Sequence, residues 1–164
     1  DLRVLDLGCG SGVHTKFLAA EGFQVTGIDH SVIGITNARK KLLSSGLTAH
    51  LIVGDVADLD FPNDYFDLII CVGVFECTGF EIAVAAINKI RKILCKNGRG
   101  LFIFASNHDF RIMGTNPLNL HGYSREEVNK IFDNCFSSIY IDTYSTTYEN
   151  GKIEQCDWLV TIVK

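Results

Sequence analysis

Short apolar runs alternate with segments of helical periodicity along the first part of the chain. Residues 2–7 form one such run, which ends at Gly8, and residues 24–28 form another, which ends at Asp29. Both runs have the length and composition of buried strands. Between them apolar residues recur at helical spacing, and Gly22 follows as a C-cap residue. The pattern predicts a β-α-β unit.

The alternation continues beyond this first unit. Ser31 is placed to N-cap a helix that runs to about residue 45, and a third strand is predicted over residues 50–53. A fourth strand is predicted over residues 67–72. The next helix is indicated by apolar residues that share one face, Ala83, Ala86, Ile87, Ile90 and Leu94. Asn97-Gly98 is expected to end that helix, before a fifth strand over residues 100–105.

The last third of the chain departs from this rhythm. After an irregular stretch over residues 107–123, residues 124–127 have the Ser-x-x-Glu spacing of a capping box that opens a helix. Two consecutive strands follow over residues 138–146 and 155–163, joined by a turn at residues 149–152. Strands alternating with helices pair in parallel, whereas strands joined by a turn pair antiparallel. We therefore predict an α/β fold with a doubly wound, mostly parallel seven-stranded sheet and an antiparallel C-terminal strand.

The composition is that of one globular domain. At 164 residues, with 47% hydrophobic and 21% charged residues, the chain is long and apolar enough for a single core. We expect one domain over residues 1–164. The formal net charge is −4, and the basic residues are scattered except for Arg39-Lys40-Lys41 on a predicted helix surface. Nucleic-acid binders usually carry a basic field, so the charge favours a small-molecule partner.

The cysteines indicate a reduced protein. They stand at positions 9, 71, 77, 95, 135 and 156 and form no Cys-x-x-Cys pair. We therefore expect a cytoplasmic protein without a metal site. No apolar stretch approaches the ~18 residues of a membrane-spanning helix. The chain begins without Met, inside a predicted strand, so we expect residues upstream of position 1.

A glycine-rich loop follows the first strand, in the run Asp6-Leu7-Gly8-Cys9-Gly10-Ser11-Gly12. Ligands of such sheets bind outside the carboxyl ends of the strands, near the point where the strand order reverses. Glycines here allow a tight turn against which a ligand can lie. Val13 stands where a dinucleotide fingerprint needs its third glycine, and no Gly-Lys-Ser/Thr of a Walker loop follows. The carboxylate of Asp6 suits a cationic ligand.

Two further carboxylates close the next two predicted strands. Asp29 is placed to accept hydrogen bonds from the ribose hydroxyls of a nucleoside. Asp55 is placed to accept one from an exocyclic adenine amine, with His30 and Val56 as flanking surfaces. Asp also caps helices and turns, so each residue alone has a structural interpretation. Carboxylates at three successive strand ends favour a binding site.

These segments resemble the class I S-adenosylmethionine-dependent methyltransferases, in order and over nearly the whole chain. The similar segments are residues 4–12, 25–31, 54–56, 61–67 and 93–100. The resemblance implies a Rossmann-like methyltransferase fold with S-adenosylmethionine as cofactor. It assigns the methionyl portion to Asp6 and to the loop residues Gly8, Cys9, Gly10, Ser11 and Gly12. It assigns the ribose to Asp29, the adenine to Asp55, His30 and Val56, and the surroundings of the sulfonium to Cys71 and Val72.

Candidate catalytic residues follow from the chemistry of an activated methyl group. Its transfer needs mainly in-line placement of a nucleophile, with a base where that nucleophile must lose a proton. Glu76, after the fourth strand, is a candidate base or amine-orienting group, and the alternative is a solvated carboxylate at a helix start. His108, after the fifth strand, is a second candidate base, and the alternative is a surface-loop histidine.

The acceptor is expected to be a small molecule. No Asp/Asn-Pro-Pro-Tyr/Phe motif follows the fourth strand and no Pro-Cys nucleophile is present, which disfavours methylation of nucleic-acid bases. The single short insertion at residues 107–123 leaves little protein to bind a polymer.

Two alternatives remain open. One is a cofactor-binding or regulatory module that needs a partner chain or an upstream lid segment, which is frequent in the family. The other is an NAD-dependent oxidoreductase, which would leave Asp6 and Asp55 unexplained.

Overall fold

The computed structural model describes residues 2–133, 136–151 and 153–164. Its strands are β1 (Arg3–Leu7), β2 (Gln24–Asp29), β3 (His50–Val53), β4 (Phe66–Val72), β5 (Leu94–Ala105), β6 (Ser138–Tyr148) and β7 (Ile153–Val163). Its α-helices are α1 (Val13–Ala20), α2 (Val32–Leu43), α3 (Phe75–Thr78), α4 (Phe80–Ile93), α5 (Phe110–Met113) and α6 (Arg125–Phe132).

The strands form one seven-stranded sheet in the order β3-β2-β1-β4-β5-β7-β6. The five strands from β3 to β5 pair in parallel, and β7 pairs antiparallel with both β5 and β6. The predicted fold class is therefore confirmed, including the antiparallel strand at the C-terminus. The order reverses between β1 and β4, so a crevice opens beside the carboxyl ends of these two strands.

Both predicted N-caps are present. The Ser31 hydroxyl accepts a hydrogen bond from the Gly34 backbone N–H at 3.0 Å and begins α2. Before α6, the Ser124 hydroxyl accepts from the Glu127 N–H, and the Glu127 carboxylate accepts from the Ser124 N–H at 2.8 Å. This reciprocal pair is the predicted capping box, and it satisfies backbone donors that the helix start leaves open.

Apolar residues cover both faces of the sheet. On one face, Ile87 and Ile90 of α4 and Val128 of α6 belong to the same buried cluster as Phe66 and Phe102. On the other face, a smaller buried cluster consists of Val4, Leu18, Val25 and Ile70. The helices that pack on the two faces of the sheet thus fix the positions of the strand ends.

The predicted boundary after α4 was wrong. The helix ends at Ile93, and β5 begins at Leu94, which has extended backbone and is fully buried. The i,i+4 spacing from Ile90 made Leu94 appear helical. Asn97-Gly98 instead marks an irregularity within β5, where Asn97 has φ 63° and the pairing register with β4 shifts. Backbone hydrogen bonds with Lys164 hold this irregularity in place.

The remaining local predictions are confirmed in outline. Residues 107–123 are mostly irregular and contain only the four-residue helix α5. The turn between β6 and β7 is a short 3₁₀ segment, Glu149–Gly151, and the predicted turn residue Lys152 lies outside the described residues.

Five cysteines are free thiols, and Cys135 also lies outside the described residues. Within the described ranges, every helix is too short or too polar to cross a membrane.

Candidate functional site

The glycine-rich loop lies directly against the segment that follows β4. Gly8 has φ 74°, and a Cβ at this position would lie 2.2 Å from Cγ2 of Val74. Gly10 has φ 49°, and a Cβ there would meet no atom within 4 Å. The loop therefore packs tightly on one side at Gly8, whereas at Gly10 its backbone faces open space.

Asp29 connects the end of β2 to this loop. Its Oδ2 accepts a hydrogen bond from the Gly10 backbone N–H at 2.8 Å, and its Oδ1 accepts one from the Ser31 N–H at 2.8 Å. The side chain is largely buried, because Asp29 is 8% exposed. A carboxylate oxygen has two lone pairs, so each oxygen can accept a further hydrogen bond from a ligand.

A cavity of about 400 Å³ opens at the carboxyl ends of the parallel strands, and we call it the sheet-end cavity. Six of its lining residues were predicted from the sequence: Gly8, Gly10, Asp29, His30, Asp55 and Val56. They come from three successive strand ends. The carboxylate of Asp55 is exposed and accepts the Ala57 N–H at 2.8 Å, whereas Val56 is buried. The wall therefore carries two carboxylates, bare loop backbone and an apolar surface.

Five lining residues were not predicted: Gly73, Val74, Cys77, Thr78 and Ile82. They lie in the segment that runs from β4 through α3 into α4. The family resemblance assigned Cys71 and Val72 to this wall, but neither belongs to the lining. Cys71 is 2% exposed and packs in the main core cluster. The chain reaches the cavity only after β4 has ended.

Four other residues that were predicted to bind the cofactor do not line the cavity: Asp6, Cys9, Ser11 and Gly12. Asp6 is 1% exposed and accepts a hydrogen bond from the Thr15 hydroxyl at 2.5 Å. Burial raises the pKa of Asp6 despite this hydrogen bond. Asp6 thus connects β1 to α1. The Ser11 hydroxyl, at the other end of the loop, accepts a hydrogen bond from Nζ of Lys41 at 3.3 Å.

Glu76 is buried beside the sheet-end cavity. It is 4% exposed, so the alternative of a solvated helix-start carboxylate was wrong. Its Oε1 lies 3.7 Å from Nη1 of Arg111, and its Oε2 has no hydrogen-bond partner among the described residues. Burial raises the pKa of Glu76, and the nearby Arg111 guanidinium only partly opposes this effect. A buried acceptor without a partner is uncommon in proteins, which makes Glu76 a candidate functional group.

The other candidate base lies elsewhere. His108 is exposed, and its backbone N–H donates to the Ser106 hydroxyl at 3.1 Å. It does not line the sheet-end cavity. The expectation that it faces the cleft is therefore not met, because the chain turns outward directly after the β5 strand end.

Arg111 joins three carboxylates, and sequence reasoning missed this arrangement. Its Nε donates to Oδ1 of Asp109 at 2.7 Å, and its Nη2 donates to Oδ1 of Asp157 at 2.5 Å. Together with Glu76 these residues form what we call the Arg111 cluster. Asp109 and Arg111 are two positions apart, but Asp157 lies on β7, 46 residues beyond Arg111. Only the fold brings the cluster together.

A wider opening of about 610 Å³ lies at the amino ends of the strands. Its lining includes Arg3, Gln24 and His50, the first residues of β1, β2 and β3, and the Arg3 guanidinium lies 4.6 Å from the centre of the Tyr65 ring. No carboxylate of the described residues lines it. Since ligands of doubly wound sheets bind at the carboxyl ends, the sheet-end cavity is the better candidate.

Known proteins are similar to this chain in both sequence and fold. A family described as a methyltransferase domain matches residues 4–98. A curated relative, the ubiquinone biosynthesis O-methyltransferase of Rickettsia conorii, is 29% identical over 134 residues. That match covers 76% of this chain and 45% of the relative, so the chain spans about half of the relative's length.

Two solved structures have the same fold over the whole chain. A methyltransferase from Methanosarcina mazei, described as SAM-dependent, superimposes with a TM-score of 0.83 at 21% identity, covering 100% of this chain and 92% of that one. Magnesium protoporphyrin IX methyltransferase from Synechocystis PCC 6803, solved with bound SAM, superimposes with a TM-score of 0.75 at 24% identity, covering 99% and 70%. The chain therefore belongs to the class I S-adenosylmethionine-dependent methyltransferase family.

Proposed function

We propose that this protein transfers the sulfonium methyl group of S-adenosylmethionine to a small-molecule acceptor and binds the cofactor in the sheet-end cavity. One observation carries the proposal: the bare backbone at Gly10 and the carboxylates of Asp29 and Asp55 converge on one cavity at the carboxyl ends of the strands. The name of the Rickettsia conorii relative, an O-methyltransferase of ubiquinone biosynthesis, supports a small acceptor.

The nucleoside portion fits the carboxylates and the apolar surface. The cavity of about 400 Å³ has the size of small-ligand sites. The free lone pairs of Asp29 suit the two ribose hydroxyls, since its oxygens are already fixed by the Gly10 and Ser31 N–H groups. Asp55 suits the exocyclic amine of adenine, and Val56 offers its apolar side chain to the base. His30 is exposed at the rim and flanks the same position.

The methionyl portion would lie along Gly8 and Gly10. In this arrangement Asp6, Cys9, Ser11 and Gly12 shape the loop without touching the ligand. The sulfonium would lie near Gly73 and Val74 rather than near Cys71 and Val72, because only the former line the cavity. The carboxylates nearby favour a cationic ligand through their negative charge.

Glu76 is our candidate for the proton acceptor. S-adenosylmethionine, when bound, supplies a methyl group already activated on a cationic sulfur. Glu76 Oε1 lies 3.9 Å from the point that a Cβ of Gly73 would occupy, and Gly73 lines the cavity. The carboxylate thus lies close behind a lining residue that has no side chain. Its unpartnered Oε2 can accept the proton of a hydroxyl nucleophile. His108, exposed and outside the cavity, is assigned no role.

Calorimetric titration tests the cofactor site. S-adenosylhomocysteine and NAD are titrated separately into the wild type, Asp29→Asn and Asp60→Asn. Asp29→Asn keeps the size of the side chain and one acceptor oxygen, while Asp60→Asn removes the same charge from an exposed loop residue outside the cavity. We expect S-adenosylhomocysteine to bind the wild type and Asp60→Asn equally, and Asp29→Asn about 5- to 100-fold more weakly. Binding of NAD alone, or of neither ligand, contradicts the proposal.

A further inference from the structure

Glu76 belongs to the Arg111 cluster but forms no hydrogen bond with its guanidinium. The distance from Oε1 of Glu76 to Nη1 of Arg111 is 3.7 Å, which is too long for a hydrogen bond. The buried Oε2 has no partner among the described residues. Because hydrogen bonds between arginine and carboxylate are among the strongest in proteins, a free guanidinium at this distance would move into contact. Other contacts must therefore hold the two groups apart.

Asp109 and Asp157 hold the guanidinium by its opposite edge. Asp109 accepts from Nε of Arg111 at 2.7 Å and from Nη2 at 3.1 Å, and Asp157 accepts from the same Nη2 at 2.5 Å. These hydrogen bonds use every N–H group on the Nε and Nη2 edge. Nη1 is the nitrogen that lies nearest to Glu76. The guanidinium is thus clamped on one edge and presents the other to Glu76.

The two aspartates are themselves fixed by the surrounding chain. Asp109 accepts from the Arg111 backbone N–H at 2.8 Å, at the start of α5, and from the Cys156 N–H of β7 at 2.7 Å. Asp157 accepts from the Gln155 amide at 2.8 Å. Both aspartates are buried. Movement of Arg111 toward Glu76 would leave two buried carboxylates without their cation, which is costly.

Glu76 is held on its own side by backbone contacts. The His121 N–H donates to the Glu76 carbonyl at 2.7 Å, and the Tyr123 hydroxyl donates to the neighbouring carbonyl of Phe75 at 2.9 Å. The short helix α3 therefore cannot shift toward Arg111 without breaking these bonds. The separation of 3.7 Å is fixed from both sides.

The charged groups that act on Glu76 are the other members of the Arg111 cluster. Burial raises the pKa of Glu76 most, the Arg111 cation lowers it, and the Asp157 and Asp109 carboxylates raise it again. The aspartates thus fix the cation in place and also weaken its effect on Glu76.

The other titratable groups near Glu76 are uncharged at neutral pH or are paired elsewhere. Burial raises the pKa of Cys71 well above 9.0, and it also raises the pKa of Cys77 and of Tyr123. The His121 ring is bonded to the Glu127 carboxylate at 2.8 Å.

We propose that Arg111 is a positioning residue for Glu76, and that Asp109 and Asp157 hold its guanidinium back so that Oε2 of Glu76 stays free to accept a proton. This inference rests on the proposed function, in which Glu76 is the proton acceptor. Arg111 and the two aspartates act through Glu76, since none of them lines the sheet-end cavity. Without the clamp, a direct hydrogen bond from Arg111 would occupy the carboxylate and make it a weaker base.

The test is a ¹³C NMR titration of the Glu76 side-chain carboxyl, assigned by the loss of its signal in Glu76→Gln. Asp157→Asn should lower the pKa of Glu76 by about half a pH unit or more, because it removes a negative charge and releases Arg111 toward Glu76. Arg111→Met should raise this pKa by about one pH unit or more, because it removes the cation. Asp60→Asn removes a remote, exposed charge and should leave the pKa unchanged.

A double variant separates the clamp from the charge of Asp157 itself. If Asp157 acts through Arg111, adding Asp157→Asn to Arg111→Met should change the pKa of Glu76 by less than about half of its effect in the wild type. An equal effect in both backgrounds overturns the clamp, as does an unchanged pKa in Arg111→Met. If Arg111→Met lacks the dispersed amide spectrum of a folded protein, Asp157→Asn decides alone, and an unchanged or raised pKa overturns the proposal.

Binding of S-adenosylhomocysteine, measured by calorimetry on the same proteins, distinguishes the two proposals. Asp157→Asn should bind it as the wild type does, because Asp157 does not line the sheet-end cavity. If the ligand binds and the pKa of Glu76 does not respond to the variants, this inference alone is overturned. If the ligand does not bind the wild type, the proposed function is overturned, and the positioning role falls with it.

Discussion

The Tyr123 hydroxyl donates a hydrogen bond to the backbone carbonyl of Phe75 at 2.9 Å, across 48 residues of sequence. Tyr123 is fully buried at the end of the 107–123 segment, and Phe75 begins the short helix that carries Glu76. The backbone carbonyl of Tyr123 in turn accepts the indole N–H of Trp158 at 2.8 Å. This chain of contacts fixes the segment after β5 against the segment after β4 that lines the sheet-end cavity.

Removal of the Tyr123 hydroxyl should lower stability without changing the packing of the ring. Tyr123→Phe removes one of three donors to the Phe75 carbonyl, which still accepts from the Gly79 N–H and the Thr78 hydroxyl. We therefore expect a loss of about 0.5–1.5 kcal/mol in the free energy of unfolding, measured by urea denaturation. The matched control is Tyr140→Phe, which removes a hydroxyl bonded to Asp142 on the exposed face of β6 and should change stability by less than about 0.5 kcal/mol. Equal losses in the two variants would contradict this account.

Gly8→Ala should destabilise the protein for two reasons that can be separated. Its Cβ would lie 2.2 Å from Val74, and the backbone has φ 74°. We expect a cost of about 2–4 kcal/mol, the sum of overpacking and backbone strain. Gly46 has φ 65°, and a Cβ added there would meet no atom within 4 Å. Gly46→Ala therefore measures the backbone strain alone and should lower the free energy of unfolding by about 1 kcal/mol. A Gly8→Ala cost no larger than that of Gly46→Ala would exclude the close contact with Val74.

Cysteine labelling should report occupancy of the sheet-end cavity. Cys77 is exposed on the cavity wall, whereas Cys9 and Cys71 are buried, and burial raises the pKa of Cys9 to about 12. A maleimide at pH 7.5 should therefore modify Cys77 well before Cys9 or Cys71, as read by mass spectrometry of peptides. S-adenosylhomocysteine should slow labelling of Cys77 and leave that of Cys95 unchanged. If saturating S-adenosylhomocysteine left the labelling rate of Cys77 unchanged, the ligand would bind outside the sheet-end cavity.

Glu76→Gln should stabilise the protein in a pH-dependent manner. Burial raises the pKa of Glu76 in the folded chain above its ordinary value of 4.5. As the pH rises above 4.5 the unfolded chain loses this proton first, so deprotonation favours unfolding and the native protein loses stability. The stability of Glu76→Gln relative to the wild type should therefore grow between pH 4 and pH 8 in chemical denaturation. Glu81→Gln, which removes an exposed carboxylate at the start of α4, controls for net charge. A difference that stays constant with pH would show that burial does not raise this pKa.

The sequence predicts what is local and periodic. The five parallel strands, the caps at Ser31 and Ser124, and the glycine-rich loop follow from spacing within a few residues. Asp29 and Asp55 were found because carboxylates stand at three successive predicted strand ends, a pattern that favours a binding site although each residue alone has a structural interpretation. The boundary at Leu94 was missed because one residue satisfied both the helical period and the composition of a strand.

The rest of the site depends on contacts between distant segments. Asp157 is an ordinary residue of β7 until the antiparallel pairing places it opposite Ala105, next to the segment that carries Arg111. Likewise, the burial of Glu76 results from the packing of α3 against β5, which strand periodicity does not encode. Residues after β4 reach the cavity only because Val74 packs against the glycine-rich loop.

The location of the cofactor is tested most directly by amide NMR of the protein with and without S-adenosylhomocysteine. We predict that the largest shifts occur at Gly8, Gly10, His30, Val56 and Thr78, around the sheet-end cavity. The amides of Gln24 and His50, at the opposite opening, should remain unchanged. Shifts concentrated at Gln24 and His50, or no shifts at saturating ligand, would contradict the proposal that this cavity binds the methyl donor.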